Sequence, residues 1–149
     1  LGQREVSGTQ GPPPAAVSQP VLVLSQPEFS SAIQDALRHL LQPTVLRTNP
    51  LLRSRLVVDR AGASSGEPER IVALQALTRE SIDSLAESPR DKKLYRALYR
   101  SYVQPAATQE SAAELLDLPF STFRRHLKAG VIRITEQLWQ REVGWVTAS

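Results

Sequence analysis

Apolar residues recur at steps of three and four along most of the chain, as expected for a helix with one buried face. The clearest example follows Ser25 and consists of Phe29, Ile33, Leu37, Leu40 and Leu41. Ser25 and Glu28 have the spacing of a capping box, which marks the start of a helix. We therefore predict a helix over Glu28–Gln42, ended by Pro43.

Three further segments show helical signals. Asn49-Pro50 is a cap followed by a proline at the first helical position, and it predicts a helix over 50–58. The apolar residues Ile71, Leu74, Leu77, Ile82 and Leu85 predict a helix over 68–86. The spacing between Leu77 and Ile82 is five residues, which predicts a kink there. Ser88-Pro89 repeats the cap-and-proline signal and predicts a helix over 89–103, ended by Pro105.

The C-terminal part predicts two helices joined by a short turn. Thr108 can cap a helix over Gln109–Leu116, and Asp117-Leu118-Pro119 forms the joint. In the last helix the apolar residues fall within an arc of about 80°, at 100° per residue; they are Phe123, Leu127, Val131, Ile134 and Leu138. We expect Phe123 and Leu127 to be core anchors, and Gly130 to mark a close approach to another helix.

Together these patterns predict an all-α fold of about six helices that ends in a helix-turn-helix. Residues 1–20 are rich in Gly, Pro, Ser and Gln, and we interpret them as a disordered linker. Residues 21–24 are expected to be extended. We divide the rest into a helical support or interaction region (21–87), a helix-turn-helix DNA-binding region (88–142) and a flexible tail (143–149). The chain begins with Leu1 and lacks a secretory signal pattern, so we expect a C-terminal fragment of a larger protein.

Composition excludes several classes of function. The chain has no cysteine, and its two histidines lie far apart, so disulfides are excluded and a metal site is not expected. No catalytic triad, carboxylate pair or glycine-rich phosphate loop is apparent, so we expect neither an enzyme nor a cofactor. No apolar run is long enough to cross a bilayer, and we expect a cytoplasmic protein.

Positive charge is concentrated in the C-terminal part. The net charge is +3, yet residues 88–149 contain ten Lys and Arg against six Asp and Glu. No acid lies between Asp117 and Glu136. A polyanion is therefore the natural partner to consider.

The last helix separates its basic and apolar residues. The residues that we expect to contact double-stranded DNA are Ser121, Thr122, Arg124, Arg125 and Lys128. The major groove accepts one α-helix, whose early residues meet base edges while flanking cations meet phosphates. Arg125 lies almost opposite the apolar arc and Ser121 lies one turn earlier on the same side, so these two are the candidates for base contact, whereas Lys128, one turn later, is a candidate for phosphate contact.

The segment TQESAAELLDLPFSTFRRHLKAGVIRITEQL resembles the helix-turn-helix of bacterial sigma factor region four and related response-regulator domains. The resemblance covers about residues 88–142 and implies a DNA-binding module of a bacterial transcription regulator. It implies double-stranded DNA as partner, and RNA polymerase or another protein as a further one. Asp117 stands where these families usually have glycine, and Pro119 where they usually have serine.

Two other interpretations remain open. The basic face can be an ordinary solvated surface, or it can dock an acidic protein, in which case the chain is a helical protein-interaction module. The near-neutral helices before Ser88 are not expected to touch DNA; they would support the motif or mediate self-association.

Overall fold

The computed structural model describes residues 21–148, with the side chains of residues 21–144. Six α-helices and no strand occur in this range: α1 (Gln26–Arg38), α2 (Arg55–Ala61), α3 (Glu67–Ser84), α4 (Lys92–Leu98), α5 (Gln109–Leu115) and α6 (Phe120–Ala148). Short 3₁₀ turns cover Val45–Thr48, Pro50–Arg53 and Leu85–Glu87, and a π-helical turn covers Tyr99–Val103. The predicted all-α fold is confirmed, whereas the predicted disordered arm lies outside the described residues.

The long helix α6 lies at the centre of the helix packing. It packs against each of α1, α2, α3, α4 and α5. The buried apolar side chains form one core that extends from Phe29 to Leu138 in sequence. Trp139 lies against Phe29 of α1 with their ring centroids 5.2 Å apart. The regions 21–87 and 88–142 therefore share a core through α6.

Local capping signals account for several helix starts. Ser25 and Glu28 form the predicted capping box, in which the Ser25 amide donates to Glu28 Oε1 at 2.8 Å. The helix ends at Arg38, earlier than predicted, and turn residues separate it from Pro43. Leu40 is buried, but Leu41 is 59% exposed because the helical spacing no longer applies to it. The predicted extension of α1 to Gln42 is therefore wrong.

The predicted helix over 50–58 is divided in two. Asn49 does cap the segment, accepting from the Leu51 amide at 2.8 Å, but it starts the 3₁₀ turn Pro50–Arg53. Ser54 then adopts an extended conformation and caps α2, its Oγ accepting from the Val57 amide. A serine that bonds to a backbone amide favours a helix cap over a helix interior, which explains the break.

Helix α3 runs without interruption through the step from Leu77 to Ile82, where a kink is predicted. The buried face continues through Thr78 and Ser81, which are polar. The hydroxyl of Thr78 donates to the Leu74 carbonyl at 2.8 Å, and that of Ser81 donates to Gln137 Oε1 at 3.0 Å. Satisfied hydroxyl groups can occupy a buried helix face, so the longer apolar step needs no bend.

Helix α4 begins at Lys92, three residues later than predicted from Ser88-Pro89. Asp91 precedes it, but its carboxylate makes no capping bond. Instead Asp91 Oδ2 accepts from Arg133 Nη1 of α6 at 2.8 Å. The cap signal at Ser88 does not start the helix, because the Asp91 amide donates to the Ser88 carbonyl at 3.0 Å in a turn that precedes α4.

A carboxylate near the end of α6 caps the start of α2. Glu142 is 5% exposed, and its carboxylate accepts from the amides of Arg55 at 3.1 Å and Leu56 at 3.0 Å. With Ser54 bonded to the Val57 amide, the first three amides of α2 all have acceptors. The helix continues through Ala148, so residues 143–148, expected as a flexible tail, are helical.

Candidate nucleic-acid interface

The turn between α5 and α6 is a Schellman motif built around Asp117. This residue is left-handed, with φ of 57°. The Leu118 amide donates to the Ala113 carbonyl at 2.9 Å, and the Asp117 amide donates to the Glu114 carbonyl at 3.0 Å. These two bonds define the motif, whose left-handed position is most often glycine and tolerates aspartate. Asp117 thus occupies the position that glycine usually takes in a Schellman motif.

Small residues hold α5 close to α6. Thr108 caps α5 as predicted, with its Oγ1 accepting from the Ser111 amide at 2.9 Å. Ala112 and Ala113 are buried, and Leu118 of the turn packs against the core. Short side chains let two helices approach closely, so α5 and the turn fix the direction in which α6 leaves.

The apolar face of α6 is buried as predicted. Phe123 is 0% exposed and Leu127 is 8% exposed, which confirms both as core residues. Pro119 lies just before the helix, since its carbonyl accepts from the Phe123 amide, and Phe120 is the first helical residue. With this face buried, the opposite face of the first two turns is turned toward solvent.

Four of the five predicted site residues are exposed, namely Ser121, Arg124, Arg125 and Lys128, and Thr122 is half-buried. Among the described residues, no carboxylate forms an ion pair with Arg124, Arg125 or Lys128. Arg133, which follows in the same basic segment, differs because it is paired with Asp91. Within the described residues, the cations nearest the turn therefore form a positive surface that no carboxylate neutralises by direct contact.

His126 shows that this positive surface extends onto α4. Burial, then Lys93 of α4, then Arg125 lower the pKa of the imidazole. Its Nδ1 is shielded from solvent and has no hydrogen-bond partner in the described part of the chain. Lys93 is exposed. It was not predicted as a site residue, because its proximity to His126 depends on how α4 packs on α6.

Two apolar side chains are exposed beside the turn. Leu115 is 60% exposed and Phe120 is 37% exposed. The Arg124 guanidinium lies over the Phe120 ring, 5.8 Å from its centroid. This contact holds the guanidinium at the edge of the turn and combines apolar and basic groups on one surface.

The described residues show no other site of a familiar kind near the turn. They contain no group of three or more His, Cys, Asp or Glu side chains that could hold a metal ion. In the same range no helix combines the length and apolar character needed to span a bilayer. No protein-family model matches the chain, and neither curated proteins nor solved structures gave a match. Any functional assignment therefore depends on the chain's own residues.

Proposed function

We propose that the chain is the DNA-binding module of a transcriptional regulator and that it binds duplex DNA through the start of α6. The observation that carries this proposal is the set of exposed cations without carboxylate partners, Arg124, Arg125 and Lys128, directly after the Schellman turn. The opposite face of the same turns is anchored in the core by Phe123 and Leu127. A helix held in this way can enter a major groove with its basic face leading.

Each side chain has a proposed role that follows from its position on α6. Arg125 lies almost opposite the buried face and Ser121 lies one turn earlier on the same side, and these two would contact base edges. Arg124, Thr122 and Lys128 flank them and would contact the sugar-phosphate backbone. Lys93 would add a further phosphate contact from α4, since its charge already acts on His126. The resemblance to sigma factor region four supports a bacterial, cytoplasmic regulator that works with RNA polymerase.

A second function is favoured by one observation. Leu115 and Phe120 are exposed apolar side chains next to the basic face. Such a mixed surface also suits an acidic protein partner, which would make the chain a protein-interaction module. The two functions differ in their dependence on salt.

Binding to a random-sequence duplex, followed by fluorescence anisotropy at about 50 and 200 mM salt, tests the proposal. Three phosphate contacts from Arg124, Lys128 and Lys93 predict a loss of roughly 40-fold between these concentrations. The double variant Arg124→Ala with Arg125→Ala should bind the duplex at least tenfold more weakly. Arg141→Ala is a control for the loss of one charge from the same helix, because Arg141 is an exposed cation several turns away. Unchanged affinity in a folded double variant would support the protein-interaction module instead.

A further inference from the structure

An open cavity lies at the opposite end of the molecule from the start of α6. Its volume is about 550 Å³, and it lies between the two 3₁₀ turns and the first turn of α3. Three arginines line it, namely Arg47, Arg53 and Arg70. Glu67 is the one acid among the lining residues. Cavities of this size typically accept small molecules.

The three guanidinium groups differ in the hydrogen-bond partners that they have within the protein. Arg47 Nε donates to Glu67 Oε1 at 3.2 Å, so this pair is neutral. Arg70 is 6% exposed, and its Nε donates to the hydroxyl of Ser65 at 3.2 Å. Arg53 Nε is shielded from solvent and has no hydrogen-bond partner in the part of the chain that the structure describes. Arg53 and Arg70 thus bring two positive charges to one cavity without a carboxylate to balance them.

Without a bound anion, the placement of Arg53 and Arg70 in one cavity is energetically unfavourable. A shielded donor without an acceptor costs free energy, and a buried cation without a counter-charge costs more. An anion that bonds to both guanidinium groups removes both costs. The amide of Gly66, the residue that caps α3, is not free to bind an anion, because it already donates to Glu69 Oε1 at 2.9 Å.

The cavity is separate from the proposed DNA surface. Arg53 lies two residues before Arg55, whose amide bonds to Glu142. Glu142 and Ser121 are separated by about 30 Å along α6, at 1.5 Å per residue. A ligand in the cavity and a duplex at the start of α6 therefore occupy different ends of the molecule.

From these contacts we infer that the cavity binds a small molecule with two or more negative charges, of the class of phosphorylated metabolites. Guanidinium groups bind phosphate through paired hydrogen bonds, and Arg53 and Arg70 provide the donors. Apolar lining residues, among them Leu22, Pro50 and Leu52, can contact the uncharged part of such a ligand. This site acts independently of DNA binding.

Isothermal titration of the full chain with inorganic pyrophosphate, in a chloride buffer, tests the inference. We expect saturable binding of one pyrophosphate per chain. Arg53→Gln should weaken the affinity at least tenfold, and Arg47→Gln by a smaller factor, since it frees Glu67 next to the site. Arg141→Gln is the control, because it removes an equal charge from an exposed position outside the cavity. Thermal melting of each variant without pyrophosphate establishes that it is folded.

The outcomes separate the alternatives. No binding of pyrophosphate to the wild-type chain overturns the inference. Equal weakening by Arg141→Gln also overturns it, because the binding is then a general effect of charge. If Arg53→Gln fails to fold, the pyrophosphate affinities of Arg47→Gln and Arg141→Gln are compared instead. Weaker binding by Arg47→Gln alone supports the inference, and equal affinities overturn it. If duplex DNA competes with pyrophosphate and Arg53→Gln weakens duplex binding equally, the cavity is a nucleic-acid contact and the small-molecule inference is wrong.

Discussion

The side chain of Leu98 lies directly against the backbone of Gly130, where α4 crosses α6. A Cβ atom added at Gly130 would lie 3.0 Å from Leu98 Cγ. Leu98 is fully buried, so it has little room to move away. The expectation from the sequence that Gly130 marks a close approach between helices is therefore confirmed.

This contact predicts opposite effects for two glycines of the same helix. Gly130→Ala should lower the melting temperature, because crowding of a packed core costs about 1–3 kcal/mol. Gly144→Ala should raise it, because a Cβ there meets nothing within 4 Å and alanine is favoured over glycine in a helix by about 1 kcal/mol. Calorimetry of both variants checks the pair. Equal stabilisation by both would show that α4 and α6 do not pack as described.

The turn at Asp117 predicts a gain in stability from glycine. Asp117→Gly should stabilise the fold, since a left-handed residue with a Cβ costs about 1–2 kcal/mol relative to glycine, and less for aspartate. Asp117→Val should destabilise it, because a branched side chain is least tolerated at positive φ. Chemical denaturation measures both. A neutral valine variant would contradict the left-handed conformation.

Loss of the carboxylate at Glu142 should weaken the junction between α6 and α2. Glu142→Ala leaves the amides of Arg55 and Leu56 without their acceptors, and each unsatisfied buried group costs about 1–3 kcal/mol. Glu142→Gln should be milder, since its amide oxygen can still accept one bond. Glu136→Ala is the control, because Glu136 is an exposed glutamate of the same helix. Hydrogen exchange at Arg55 and Leu56 should accelerate in the Glu142 variants alone.

Under the proposed function, Arg125 and Lys128 should differ in their effect on DNA binding. Arg125→Ala should relax sequence preference by about 1–3 kcal/mol at one base pair, since it removes a base contact. Lys128→Ala should weaken all duplexes alike and reduce the slope of log affinity against log salt by about one. Anisotropy with a selected and a random duplex distinguishes these effects. Identical behaviour of the two variants would argue against a groove-facing helix.

His126 predicts a dependence of DNA affinity on pH. Its pKa is lowered in the free chain by burial, Lys93 and Arg125. Nearby phosphates would raise the pKa of the imidazole above its value in the free chain, so binding takes up a proton and affinity should rise as the pH falls through the pKa of the complex. In the free chain the free energy of unfolding should fall as the pH falls below about 6.5, the ordinary pKa of histidine, because the unfolded chain binds that proton more readily. His126→Gln should remove the rise in affinity, and His39→Gln, at the second histidine, should not. A rise that persists in His126→Gln would contradict this assignment.

The sequence predicts features that depend on neighbouring residues and misses those that depend on distant ones. The caps at Ser25 and Thr108 and the buried face through Phe123 and Leu127 are local, and the structure confirms them. The Ser88-Pro89 pattern does not reveal that residues 88–91 form a turn before α4, nor that Asp91 bonds to Arg133, a partner 42 residues away. Lys93 was missed for the same reason, since its approach to His126 requires α4 to be packed on α6. The cavity around Arg53 likewise requires three segments to come together.

The bond from Glu142 to the start of α2 has a consequence for the order in which the chain folds. The partners are separated by 86 and 87 residues. During synthesis, which adds about 5–20 residues per second, α2 leaves the ribosome several seconds before the carboxylate that caps it. Until α6 has emerged, the N-terminal helices can pack only on one another, and the part of their apolar surface that α6 covers stays exposed. A ribosome-stalled chain that ends before Gln137 should accordingly be protease-sensitive over residues 25–87, and resistance there would show that these helices fold without α6.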